Sequence, residues 1–169
     1  MGLYLAYDSE QKAAAQPSAD LRPKLLIAIR PEDMALSKII LGDEFNAVFC
    51  HTYEEACRAL DGSVQMVTCG VHFDNGKVFD LLRFVRQTPE FETLPFFILL
   101  GAGSRYSQAI VQGIRAAAEL LKVTAFTDLT RFAEKFGKDA SFDALRKGIR
   151  DAIAASAAYP SARPTLSSR

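Results

Sequence analysis

Cysteine is scarce in this sequence. There are three, Cys50, Cys57 and Cys69, an odd number at spacings of seven and twelve. That pattern fits neither a disulfide framework nor a zinc motif, and it suits a reducing compartment. An excess of charge is also missing: twenty Lys and Arg stand against twenty Asp and Glu, giving a formal net charge of zero. No overall field therefore draws in nucleic acid or an anionic membrane surface. Long apolar runs are absent too. The opening MGLYLAYDSE is interrupted by Asp8 and Glu10 too soon for a signal peptide, and no later run approaches membrane-spanning length. The expectation is a cytoplasmic protein with neither nucleic acid nor membrane as a partner.

What the sequence does have is the material for a core: 49% of its 169 residues are hydrophobic and 24% charged, as in one ordinary domain. From Lys24 onward, short β-rich runs alternate with longer amphipathic stretches. KLLIAI, NAVFCH, VQMVTCG, PFFILLG and VTAFTD read as five strands. PEDMALSKIIL, TYEEACRAL, GKVFDLLRFVRQ and SQAIVQGIRAAAELLK read as the helices between them. Strands that are unbroken apolar runs, separated by helices, predict a parallel sheet covered on both faces. Units of this length suit an α/β fold with a doubly wound five-stranded parallel sheet, order 2-1-3-4-5, of flavodoxin-like type. After the fifth strand, LTRFAEKFGKDA is long enough for a short helix of its own. A last helix over SFDALRKGIRDAIAASA follows, with Ser141 as N-cap and Phe142, Leu145, Ile149 and Ile153 at helical spacing. The predicted organisation is an N-terminal extension over 1–23 with a helical turn at Ala13 to Gln16, one domain over 24–156, and a mobile tail over 157–169.

In such sheets the functional site lies at the carboxyl ends of the strands. Those ends read Ile29-Arg30, Thr68-Cys69-Gly70, Leu100-Gly101-Ala102 and Phe126-Thr127-Asp128. The element order, the passage from Phe79-Asp80-Leu81-Leu82-Arg83 through Thr88-Pro89 to Leu94-Pro95, and Phe126 on the fifth strand resemble the receiver domain of two-component response regulators. The resemblance covers roughly Lys24 to Ala155. It implies a signalling domain in a phosphorelay, in which an aspartate after strand three takes a phosphoryl group from a partner's histidine. An acidic pair after strand one would hold Mg²⁺. A hydroxyl after strand four and a lysine after strand five would hold the phosphoryl oxygens. Such a transfer depends on a metal and fixed donors to meet the charge on the moving group.

Carried over position by position, none of these groups is present. Ala28-Ile29-Arg30 stands where the acidic pair belongs, and the aspartate position falls within Thr68, Cys69 and Gly70. Gly101 takes the hydroxyl position, with Ser104 three residues on and better placed to cap the fourth helix, and Asp128-Leu129-Thr130 replaces Lys-Pro. Four losses in one pocket imply a degenerate receiver, or pseudo-receiver, with no catalytic residue, no metal and no cofactor. Asp74 lies too far beyond the strand end to serve as a displaced acceptor, and Asp74 or Asn75 reads as a cap for the third helix. Glu32 and Asp33 follow Pro31 and read as the first turn of helix one rather than as the missing pair.

Three readings of the emptied pocket remain. Cys69 is a buried small apolar residue or, given a base such as His72, a nucleophile. Arg30 reaches solvent, or it replaces the metal's charge and binds an anion. The run Gly101-Ala102-Gly103-Ser104 is a helix-start turn or a miniature phosphate cradle. The resulting expectation is a module that binds a protein partner, whether a signalling kinase, a regulator or a target. The alternative is a sensor of an anion, nucleotide or flavin. The partner face implied by the resemblance spans helix four, strand five and the last helix, and it would also serve a homodimer. Its candidate residues are Gln108, Gln112, Arg115, Phe126, Arg146, Lys147 and Arg150.

Overall fold

The computed structural model of the chain describes residues 20–101 and 106–158. Its five strands are β1 Lys24–Ala28, β2 Asn46–Cys50, β3 Met66–Gly70, β4 Phe96–Leu100 and β5 Ala125–Asp128. All pairings are parallel and the order is β2-β1-β3-β4-β5, as the alternation of elements predicts. The helices are α1 Met34–Leu41, α2 Tyr53–Ala59, α3 Val78–Gln87, α4 Gln108–Leu120, α5 Leu129–Phe136 and α6 Lys138–Ala158. Among the described residues, no helix is long and apolar enough to cross a membrane.

Successive residues of a strand point to opposite faces, so each strand feeds two cores. Leu26, Ala28, Val67, Cys69, Phe96, Ile98 and Phe126 pack with α2, α3 and α4. Leu25, Ile27, Met66 and Phe97 pack with Ile40 and Leu41 of α1 and with Leu145 and Ile149 of α6. The second face is where the site lies.

Several local expectations are corrected by the hydrogen bonds. Ser107, not Ser104, caps α4, accepting from Ile110 N, and Ser104 lies outside the described residues. Neither Asp74 nor Asn75 caps α3. Both sit in a 3-10 turn, Phe73–Gly76, at left-handed φ values of 39° and 56°, and the Asp74 carboxylate instead accepts from Tyr53 N at the start of α2. Ser141 is not an N-cap. Gly137, at φ 87°, reverses the chain between α5 and α6 in a conformation that side chains disfavour. The next helix restarts at once, so Ser141 is already inside it and donates its hydroxyl to Gly137 O at 2.7 Å. The helix also runs on to Ala158, two residues past the expected boundary. The expected turn at Ala13 to Gln16 and most of the expected tail lie outside the described residues.

Candidate functional site

At the carboxyl end of β1 the chain leaves the sheet at Ala28. Ile29 N still bonds Cys50 O, and Arg30 then takes the N-cap position of a 3-10 turn, Pro31–Asp33, that runs into α1. Pro31 at N1 needs no partner for a missing N–H, and Glu32 and Asp33 meet the positive end of the helix, as predicted. The Arg30 guanidinium folds onto this turn, with Nε 2.8 Å from Asp33 Oδ2, a second nitrogen 3.1 Å from Oδ1, and Glu32 at 3.3 Å. The hydrogen bonds that the guanidinium donates to Asp33 hold it above its ordinary pKa. Arg30 is therefore neither a free anion receptor nor a substitute for a metal. Its charge is met twice over by carboxylates of its own turn.

β3 ends on Gly70, so of the three candidate residues there it is Gly70 that stands at the strand terminus. The other two part company. Cys69 faces α2 to α4, wholly buried, and its thiol points back at Gly70 O. Thr68 and Gly70 face α1 and α6. Cys69 thus does not belong to the pocket in which the sequence reading placed it, because a one-residue step along a strand changes face. Burial pushes its thiol well above the ordinary value of 9.0. A thiol raised in the folded state contributes stability that is fully present below the unfolded value and is lost as the pH climbs beyond it. At pH 8 the Cys69 thiol is therefore protonated and its contribution to stability is undiminished. Under iodoacetamide at that pH, half-buried Cys57 will be alkylated in the native protein while Cys69 reacts only after global unfolding. Mass spectrometry of the modified peptides checks this, and fast Cys69 labelling would restore the nucleophile.

At the end of β5, Asp128 accepts from Arg131 N at 3.1 Å and so caps α5. Leu129, the first residue of α5, lines the space beneath the strand ends. Two residues that the sequence did not single out contact residues near the strand ends. His51 Nδ1 lies 2.9 Å from Ile29 O. The Tyr106 ring stacks on His72 at 5.3 Å with its hydroxyl 3.4 Å from Nδ1. Neither is flagged by spacing, since both contacts join distant loops.

Below the strand ends is a cavity of about 170 Å³ between the sheet, α1, α5 and α6. A wider groove, about 420 Å³, runs between the ends of α3 and α4 beside Arg83, Arg86 and Lys122. It lies toward the amino-terminal ends of β4 and β5, away from the carboxyl ends. Among the described residues no three His, Cys, Asp or Glu side chains gather as metal ligands. The Mg²⁺ that the resemblance implies does not fit the end of β1, where a guanidinium occupies Asp33.

The residues expected on the partner face differ in exposure and contacts. Gln108 and Gln112 are exposed on α4 and Lys147 on α6, where it bonds Asp151. Arg115 instead lies over the Phe126 ring at 4.7 Å, partly buried. Arg146 donates to Ile40 O at the end of α1, and Arg150 bonds Glu44 beyond it. Both arginines therefore reach toward α1 and the segment that follows it.

No family model matches the sequence, and no curated protein does either. Solved structures do match the fold. The phosphorylated cyanobacterial phytochrome response regulator RcpA superposes with a TM-score of 0.59 at 12% identity, over 83% of this chain and 99% of its own. The signal receiver domain of a histidine kinase from Syntrophus aciditrophicus gives 0.59 at 14%, over 85% and 99%. The corresponding domain of a two-component histidine kinase from Clostridium thermocellum gives 0.55 at 16%, over 79% and 98%. The chain has the five-stranded α/β fold of response-regulator receiver domains.

Proposed function

We propose that this chain is a pseudo-receiver, a signalling module of a two-component-type pathway that acts by binding a protein partner and is not phosphorylated on aspartate. The observation that carries this reading is the chemistry of the four strand ends. β1 ends beside an arginine bonded to its own turn, β3 ends on Gly70, β4 is followed by Gly101, and β5 ends on Asp128, which caps a helix. Among the described residues at these ends, a phosphoryl group would meet no acceptor carboxylate at the end of β3, no cluster of metal ligands and no free ammonium. Positioning and charge are nearly all that catalyses this transfer.

With no phosphoryl group to bias a switch, the partner must read the resting surface. The outer side of α4 suits that role, with Gln108 and Gln112 beside exposed Ile110 and Leu120. Lys147 lies on a separate helix and Phe126 is held under Arg115, so α4 carries the interface, whether to a kinase, a target or a second copy. The alternative, a sensor of a nucleotide or flavin, is disfavoured on size and charge. The cavity is smaller than the roughly 300–1,000 Å³ of pockets that enclose drug-sized ligands, and Arg30 is already neutralised.

Acetyl phosphate or beryllofluoride with Mg²⁺ will leave the amide spectrum of the protein unchanged. Shifts confined to Gly70, Gly101 and Asp128 on adding either reagent would overturn the reading.

A further inference from the structure

We propose that the N-terminal extension is a ligand of its own domain, with the uncharged run Leu3-Tyr4-Leu5-Ala6-Tyr7 docked on the outer face of α1. This goes beyond the protein-binding reading and does not depend on it.

α1 lacks the polar outer side that a surface helix ordinarily has. Over its eight residues, MALSKIIL, it carries one charge, Lys38. Ile40 and Leu41 are buried in the second core, as the inward side requires. The outward side is apolar as well: Ala35 is exposed beside Lys38, Leu36 is 43% exposed and Ile39 67%. Leu36 and Ile39 are three residues apart and adjoin on one face. By contrast, α3 turns Arg83 and Gln87 to solvent. A single exposed leucine means little, but a helix apolar nearly all round has the pattern of a covered one.

The path of the chain says what covers it. Arg22, on the approach to β1, donates to Asp43 O at 3.2 Å, two residues past the end of α1. The extension therefore leaves the domain beside that helix. Thirteen residues, Asp8 to Asp20, separate the apolar run from this point. A coiled chain of that length reaches roughly 20 Å, and an eight-residue helix is about 12 Å long. A run tethered in this way meets the helix at about millimolar effective concentration, so a weak contact suffices.

The chemistry of the two surfaces matches. Leu3 to Tyr7 carry no charge, and Asp8 and Glu10 follow at once, opposite in sign to Lys38. The other end of the sequence, YPSARPTLSSR, offers one leucine and two arginines. Its charge has the same sign as Lys38, so it is the poorer occupant.

A nitroxide on Ser9→Cys reports the contact in the full chain, with Cys57→Ala removing the half-buried thiol and Cys50 and Cys69 left buried. The amide signals of Leu36, Lys38 and Ile39 will lose most of their height, while those of Gln108 and Gln112 on α4 keep theirs. Ile39→Asp, at an exposed position outside the core, will restore the signals of Leu36 and Lys38. Leu3→Ser combined with Leu5→Ser will restore all three from the other side of the contact. The proposal falls if the α1 signals keep full height, if another face is broadened instead, or if the substitutions leave the broadening unchanged. It falls too if an isotope-labelled chain is broadened by a nitroxide carried on a separate chain, which would make a second copy the occupant. No phosphodonor enters any of these measurements, so the pseudo-receiver test stands apart from them.

Discussion

Phe73→Ala will lower the free energy of unfolding by about 3–5 kcal/mol, the range for deleting a buried phenyl ring. Phe73 has no exposed surface, and it is the anchor of a loop with little else inside it. The residues on either side cannot substitute: His72 lies at the rim beneath Tyr106, and Asp74 and Asn75 are in left-handed backbone that few side chains tolerate. The ring reaches into the core shared by Val78, Leu81 and Leu82 of α3 and Cys69 of β3. Removing it leaves a void that a strained turn cannot collapse to fill, so the loss should sit at the upper end. Urea unfolding checks this through the midpoint, with an unchanged slope as the sign that the native fold persists. Phe73→Leu, which keeps most of the volume, will cost much less. Equal losses from the two would show that the turn can close over the gap.

Arg86→Leu will cost about 2–3 kcal/mol although it replaces a charge with an apolar side chain. Arg86, near the end of α3, donates to Leu94 O at 2.8 Å, to Lys122 O at 3.0 Å and to Glu92 O at 3.1 Å. It thereby ties α3 to the approach to β4 and to the chain leaving α4. Burial lowers its pKa, and the carbonyl dipoles alone hold its charge, with no carboxylate among the bonds it makes. Leucine strands three acceptors at once. Arg86→Lys will recover only part of the loss, because an ammonium cannot present the planar fork that reaches three carbonyls. Thermal unfolding of the three proteins gives the comparison, and a leucine variant as stable as the wild type would sink this account.

The architecture was legible because it is written in periodicity. KLLIAI and PFFILLG can only be strands buried on both faces, and the stretches between them repeat at helical intervals, so strand order and crossover type followed. The short helix before the last one was legible from connection length. Register and face were not. Thr68, Cys69 and Gly70 are consecutive, and a sequence does not say which of them a strand turns toward which core. Caps failed for a related reason: Ser104, Ser107 and Ser141 are equivalent as letters, and only the backbone around Gly137 and the start of α4 separates a cap from a residue inside a helix. Arg115 and Arg146, expected on an exposed face, find a ring and a carbonyl instead, contacts that join distant segments and leave no local trace.

The all-parallel sheet has a consequence for how the chain reaches its native state. β1 lies between β2 and β3, so Leu25 waits for Met66 before its second neighbour exists. No hairpin can nucleate this assembly, and each pairing must first close a long loop at an entropic cost. During synthesis β1 therefore keeps an unsatisfied edge until β3, which ends at Gly70, has followed it, the interval in which a holding chaperone would matter most.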